Sequence, residues 1–107
     1  MDIKEIERLF YSYGDDFNWY ILSDGKSFEC ELEKEISNKH PLHNISAKAI
    51  AKCESNDDVL FVLEDGRGVI VHLTYSISNS DKYPRVKLFE TLNMAIDFII
   101  NEFISEY

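Results

Sequence analysis

The sequence lacks any apolar run long enough to cross a bilayer, which takes about 18 or more residues. Its first ten residues, MDIKEIERLF, are amphipathic and charged, whereas a secretory signal peptide has a continuous apolar centre. It has only two cysteines, Cys30 and Cys53, and they form no C-x-x-C pair. We therefore expect a cytoplasmic protein whose cysteines are reduced and buried on apolar faces, where thiols are unreactive.

The chain also lacks the short motifs of common catalytic and nucleotide-binding sites. It contains no G-x-G-x-x-G, no P-loop, no G-x-S-x-G and no H-E-x-x-H. His40 and His43 lie in an HPLH segment without an acid or a cysteine at a characteristic ligand spacing, which disfavours a metal site. These absences predict a protein that is not an enzyme and that needs no cofactor.

One enzymatic alternative stays open. A small hydrolase or metal-dependent enzyme would use His40, His72 and either Asp57 or Asp58. A lone histidine in an apolar strand is more commonly a packed, hydrogen-bonded residue than a catalytic one. A cluster of these side chains around an open pocket would favour the enzymatic alternative.

Basic residues are scarce. Lysine and arginine number 11 against 20 aspartates and glutamates, so the formal net charge is -9. Nucleic acids and anionic membranes bind proteins through lysine and arginine, and the charge disfavours both as partners. A basic protein is the complementary expectation.

The strongest structural signal is a central hairpin. Two apolar runs, residues 59–63 and 69–73, flank Asp65-Gly66, which predicts a two-residue type I′ turn. That register pairs Phe61 with Ile70. Because side chains alternate along a strand, it also puts four residues on one face: Val59, Phe61, Ile70 and His72.

The flanking segments complete a single α+β domain over residues 1–107. We predict an antiparallel meander of three to four strands, at residues 45–53, 58–64, 67–75 and 85–90. A helix over residues 2–12 precedes it, and residues 17–22 are extended. A C-terminal helix from Leu92 to Glu106, capped by Thr91, covers one face of the sheet.

The segment Phe28–Ile36 carries two conflicting patterns. Its apolar residues alternate with glutamates, which is typical of a strand, but its composition and its i, i+4 spacing favour a helix. We predict a helix with Ser27 as its N-cap, while the strand reading stays open. The glutamates from Glu29 to Glu35 would then form a solvated face.

The chain resembles a group of small acidic bacterial proteins that includes immunity-type proteins of toxin and contact-dependent inhibition systems. The resemblance covers about residues 28–98 and is carried by Glu31-Leu32 with Glu35, His40-Pro41-Leu42, Asp57-Asp58-Val59-Leu60, Asp65-Gly66, residues 71–75 and residues 84–89. The group often has tryptophan where this chain has Tyr75. It has no established catalytic residues to carry over.

Charge and resemblance together predict a cytoplasmic immunity-type protein that binds and neutralises a basic toxin domain, with a nuclease as the favoured class. The acids available at the hairpin ends include Glu64 and Asp65 at one end. We favour the other end, because Tyr75 and the loop over residues 77–84 should lie there. The candidate partner-binding residues are Glu54, Asp57, Asp58, Tyr75 and Tyr83.

The expected state is a monomer or a weak homodimer. A third possibility is a self-associating structural module that pairs through the edge strand at residues 85–90.

Overall fold

A computed structural model of the chain describes residues 3–76 and 82–105. Its elements, in chain order, are α1 (Ile3–Tyr11), β1 (Trp19–Ile21), α2 (Lys26–Glu35), β2 (Ala47–Cys53), β3 (Asp58–Leu63), β4 (Gly68–His72), β5 (Arg85–Phe89) and α3 (Leu92–Ser105). The α+β class is confirmed, and the ambiguous segment is a helix. None of the helices within the described residues is both long and apolar enough to cross a membrane.

The five strands form one antiparallel sheet in the order β1-β2-β3-β4-β5. The expectation of three to four strands was too low, because the short aromatic segment β1 pairs with β2, with Trp19 opposite Cys53. Strand β5 lies at an edge, as predicted. Residues 77–81, which belong to the predicted loop after β4, lie outside the described residues.

Helices cover both faces of the sheet. On one face α1 and α3 pack on an apolar cluster that includes Ile6, Leu60, Ile70 and Ile96. On the other face α2 and the segment after it pack on a second cluster, which includes Leu32, Leu42, Phe61 and Val71. Both faces of the central strands are therefore apolar, as the sequence predicts.

The predicted register of the central hairpin is wrong by one residue. Phe61 lies opposite Val69 and not Ile70, and Asp58 lies opposite His72. The turn has three residues: the Gly66 N–H donates to the Leu63 carbonyl, and the Leu63 N–H donates to the Arg67 carbonyl. Gly66 has φ +92°, so this is a type I turn closed by a glycine bulge, which Asp-Gly suits as well as it suits a type I′ turn.

The shift changes which side chains share a face, because side chains alternate with a period of two. Phe61 now lies with Val69 and Val71 in the cluster beneath α2. Ile70 lies with Leu60 beneath α3. The face predicted for Phe61 together with Ile70 and His72 does not form.

Helix α2 begins earlier than predicted, and Ser27 lies inside it. The N-cap is Gly25, and the preceding Asp24 accepts a hydrogen bond from the Lys26 N–H at 3.1 Å. A Cβ atom at Gly25 would lie 2.6 Å from the Ala49 Cβ on β2, so only glycine lets the chain pass so close to the sheet. The helix start is thus set by a close approach to β2.

Helix α3 begins as predicted. The Thr91 hydroxyl accepts a hydrogen bond from the Met94 N–H at 3.2 Å, which is the geometry of an N-cap. Ala95 faces Gly68 on β4 so closely that a Cβ there would lie 2.8 Å from the Ala95 Cβ. Two small residues therefore let α3 lie flat on the sheet.

Replacing Phe61 with alanine should lower the free energy of unfolding by about 3 kcal/mol or more, because the ring is fully buried and its removal leaves a cavity. Chemical denaturation measures the change. Tyr11→Ala is the control, since that ring is 79% exposed, and it should have little effect. Equal losses in the two variants would contradict the assignment of Phe61 to the core.

Candidate functional site

A buried carboxylate organises the sheet end where β3 begins and β4 ends. The Glu35 side chain, on the last turn of α2, is only 1% exposed. It accepts hydrogen bonds from the Thr74 N–H, the Thr74 hydroxyl and the Tyr75 N–H at 2.8, 2.7 and 2.9 Å. The prediction that residues 29–35 present only solvated glutamates is therefore wrong at Glu35, because this residue follows Leu32 by three positions and shares its buried side of the helix. It is also wrong at Glu29, which is half-buried and accepts a hydrogen bond from the Ala49 N–H on β2 at 3.1 Å.

The Glu35 carboxylate also fixes an unusual backbone. Tyr75 has φ +56°, in the left-handed region that costs a residue with a side chain on the order of 1–3 kcal/mol. Two successive N–H groups, those of Thr74 and Tyr75, converge on the carboxylate and form an anion-binding concavity. The Tyr75 ring is left 54% exposed beyond the end of β4.

Glu31 and Glu35 lie one helical turn apart, and the Glu31 carboxyl donates a hydrogen bond to Glu35 when it carries a proton. Burial alone would raise the pKa of Glu35, but the hydrogen bonds from Glu31, Thr74 and Tyr75 outweigh it and lower that pKa. The hydrogen bond to Glu35, some desolvation and the charge of Glu35 raise the pKa of Glu31, against a smaller opposite effect of Lys34. Glu35 is therefore the charged member, and Glu31 takes up the first proton.

An exposed surface of acids and tyrosines lies around this carboxylate. We call it the acid–tyrosine patch and define it by Tyr20, Glu31, Asp57 and Tyr75. Asp57 lies beside the chain leaving β4, where its carbonyl accepts the Leu73 N–H at 3.2 Å. Partial burial, followed by the charges of Asp57, Glu31 and Glu35 and by Tyr20, raises the pKa of the Tyr75 hydroxyl. Asp57 and both tyrosines are exposed, and Glu31 is half-buried.

Only part of the predicted partner-binding set comes together. Asp57 and Tyr75 belong to the acid–tyrosine patch, and Glu54 is exposed in the turn that follows β2. Asp58 points to the opposite face of the sheet, where it contacts His72. Tyr83 lies beside Arg85, whose guanidinium carbon is 5.4 Å from the ring centroid.

A cleft of about 640 Å³ opens at the same sheet end, on the face covered by α3. We call it the sheet-end cleft. The strand register places Asp58, His72 and Arg85 side by side on three neighbouring strands. Its lining also includes Trp19, Cys53, Lys87 and Phe98.

The central feature of the sheet-end cleft is an acid–imidazole pair. His72 Nδ1 donates to Asp58 Oδ1 at 2.7 Å, and the His72 side chain is 53% exposed. The pattern of the strand predicts a packed, hydrogen-bonded His72. The imidazole is hydrogen-bonded but exposed, because the register places it at the end of β4, beyond the cover of the apolar clusters.

His40, another member of the enzymatic alternative, lines the same cleft but has no hydrogen bond with the Asp58–His72 pair. The His40 ring is buried, where Nδ1 accepts the Leu42 N–H at 3.1 Å and Nε2–H donates to the Pro84 carbonyl at 2.8 Å. Both ring nitrogens are thus used in joining backbone segments. Asp57 lies with the acid–tyrosine patch, away from His72.

The thiols occupy different environments. Cys53 is buried at the sheet-end cleft, but Cys30 is exposed on α2. The prediction that both are buried is wrong for Cys30, because on a helix this residue points away from Phe28 and Leu32. Within residues 3–76 and 82–105, no group of three or more histidines, cysteines and acids is arranged to hold a metal ion.

Two features of this region were missed from the sequence. A helical projection of Phe28, Leu32 and Ile36 places Glu35 beside the buried stripe. This projection alone is enough to indicate that Glu35 is buried. The Asp58–His72–Arg85 row had no such signal, because it depends on a register that the Asp65-Gly66 pair does not determine.

Comparison with protein-family models, curated proteins and solved structures finds no match to this chain. The acid–tyrosine patch and the sheet-end cleft are therefore the features from which a function can be inferred.

Replacing Glu35 with alanine should lower the free energy of unfolding at neutral pH by about 3 kcal/mol, because it leaves two N–H groups and a hydroxyl without their acceptor. Denaturant titration measures the loss. Glu33→Ala, on the exposed side of the same helix, is the matched control and should be nearly silent. A Glu35→Ala variant as stable as the control would contradict the structural role of the carboxylate.

Replacing Glu31 with glutamine should raise the unfolding temperature at pH 7, since the amide can donate to Glu35 without adding a like charge. The pKa of Glu31 is raised on folding, so its favourable contribution is present at low pH and lost as the pH rises through the folded-state pKa. The advantage of Glu31→Gln should therefore vanish at acidic pH. The lowered pKa of Glu35 acts oppositely: its contribution is complete above the usual value near 4.3 and is lost as the pH falls through the folded-state pKa. Thermal unfolding of the parent and of Glu31→Gln, followed from neutral to acidic pH, measures the difference between their unfolding temperatures. A difference that grows at acidic pH would contradict the raised pKa of Glu31.

Proposed function

We propose that this chain is an immunity-type binding protein that neutralises a basic toxin domain, of the nuclease class, by covering it with the acid–tyrosine patch. The observation that carries the proposal is the grouping of the exposed Tyr75 ring with the carboxylates of Asp57 and Glu31. Such a grouping suits a positively charged protein surface.

The chemistry of the patch favours arginine and lysine as the groups it receives. A guanidinium stacks on an aromatic ring and also pairs with a carboxylate through two N–H groups. Tyr75 and Tyr20 offer the rings, and Asp57 offers a carboxylate that is in no salt bridge within the described part of the chain. Aromatic anchors of this kind commonly dominate the binding energy of an interface.

The support beneath the patch suits tight binding. The Glu35 carboxylate holds the Tyr75 backbone in place before any partner arrives. Binding to a preorganised surface avoids part of the entropic cost of ordering it. The net charge of -9 adds a long-range attraction that speeds encounter with a basic partner.

The hydrolase alternative keeps one supporting observation, the contact between Asp58 and His72 beside an open cleft. Its third member, His40, has both ring nitrogens bonded to backbone groups. The geometry therefore supports binding better than hydrolysis.

The test requires a basic toxin domain encoded beside the gene for this chain. Co-expression should restore growth of cells that make the toxin domain. Tyr75→Ala should weaken the complex by about 2 kcal/mol or more, mainly through faster dissociation, because the ring is a central anchor. Asp57→Asn should slow association and reduce its dependence on salt. Surface plasmon resonance measures both rates.

Matched controls lie elsewhere on the protein. Tyr11→Ala removes an exposed ring on α1, and Glu64→Gln removes an exposed acid at the opposite end of the hairpin. Both variants should bind and protect as the parent does. The proposal fails if no toxin domain is encoded nearby, if protection is absent, or if all four variants bind equally at every salt concentration.

A further inference from the structure

The sheet-end cleft differs in charge from the rest of the chain. Its charged lining consists of three bases, Lys82, Arg85 and Lys87, against two acids, Asp58 and Glu102. The whole chain, by contrast, carries a formal charge of -9. A concentration of bases on a strongly acidic protein makes this cleft the place where a small anion is attracted.

The imidazole in the cleft is oriented for a ligand. His72 Nδ1 is held by Asp58, so Nε2 is the ring nitrogen left over, and no contact of Nε2 is found within the described residues. Nε2 is a donor when the ring carries both protons and an acceptor when only Nδ1 is protonated. A ligand that can both accept and donate at one position suits it in either form.

Arg85 supplies a second donor beside the first, because it is the cross-strand neighbour of His72. One of its N–H groups reaches the Tyr83 hydroxyl at 3.3 Å. A guanidinium has five N–H donors, so others are available to a ligand. An oxyanion accepts charge-assisted hydrogen bonds from the guanidinium, and a protonated oxygen of the same anion can donate to Nε2 of the neutral imidazole.

An apolar wall adjoins these donors. Trp19, Ile70 and Phe98 line the cleft, and the Lys87 ammonium lies 4.5 Å from the centroid of the Phe98 ring. The cleft volume of about 640 Å³ falls within the range of small-molecule sites. A ligand with a flat apolar part and an anionic end would contact both the apolar wall and the polar groups of His72 and Arg85.

We infer that the sheet-end cleft binds a phosphate monoester that carries an aromatic ring, with the phosphate at His72 and Arg85 and the ring against Trp19 and Phe98. A phosphate monoester carries nearly two negative charges and three acceptor oxygens at neutral pH, which suits several donors better than a carboxylate does. The cleft lies on the sheet face opposite the acid–tyrosine patch. The inference therefore does not depend on the proposed function.

The experiment uses Trp19 as the reporter, since it is the only tryptophan in the chain and lines the cleft. Its fluorescence is followed during titration with phenyl phosphate, inorganic phosphate, phenol and benzoate at constant ionic strength. We expect a saturable change in fluorescence with phenyl phosphate, at concentrations at least tenfold lower than for any of the other three compounds. The factor is about tenfold because each of the others lacks at least one contact of the size of a charge-assisted hydrogen bond or of the ring. Phenol binding as well as phenyl phosphate, or benzoate equalling it, would overturn the assignment to a phosphate monoester.

Variants locate the binding. His72→Gln and Arg85→Gln should each weaken phenyl phosphate binding about tenfold or more. His43→Gln and Arg67→Gln change an exposed histidine and a half-buried arginine that do not line the cleft, and both variants should leave the binding unchanged. If circular dichroism shows that either cleft variant is unfolded, Lys87→Gln replaces it. This variant removes another base of the cleft lining and should also weaken phenyl phosphate binding. Titration curves of folded cleft variants that coincide with the parent, or no saturable signal at all, would overturn the inference.

Discussion

The carboxylate of Glu35 is the constraint on which one end of this molecule depends. A charged group with 1% exposure is tolerated in a protein interior only when several donors replace its water, and here Thr74 and Tyr75 supply three. The same three bonds join the last turn of α2 to the chain leaving β4 and hold Tyr75 in a left-handed conformation. One buried charge thus determines the position of α2, the course of the backbone after β4 and the exposure of the Tyr75 ring.

The sheet separates two surfaces of opposite character at that end. Asp57 and Asp58 are consecutive, yet one carboxylate belongs to the acid–tyrosine patch and the other contacts His72 in the sheet-end cleft. Asp58 is the first residue of β3 and lies opposite His72, whereas Asp57 belongs to the bend before the strand. Since neither surface covers the other, a protein on one face and a small ligand on the other could be bound at the same time.

The sequence predicted element types well because helix caps and apolar periodicity are local: Thr91 caps α3, and the Phe28–Leu32–Ile36 stripe marks α2. It did not reveal that β1 joins the sheet, because three residues carry too little pattern to specify a pairing. It also missed the hairpin register, because Asp65-Gly66 fits turns of two or three residues. The candidate sites were predicted least well. The Asp58–His72 contact depends on the strand register, and the Glu35 contacts join residues that are 39 and 40 positions apart in the chain.

The three-residue turn at Glu64-Asp65-Gly66 lies at the far end of the hairpin from both surfaces, yet its length decides what they contain. Hairpin turns ordinarily tolerate insertions and deletions, because they are exposed and contact little. Here the loss of one residue would exchange the faces of β4 and take His72 away from Asp58. The length of this turn, more than the identity of its residues, therefore determines which side chains meet at the opposite end of the molecule.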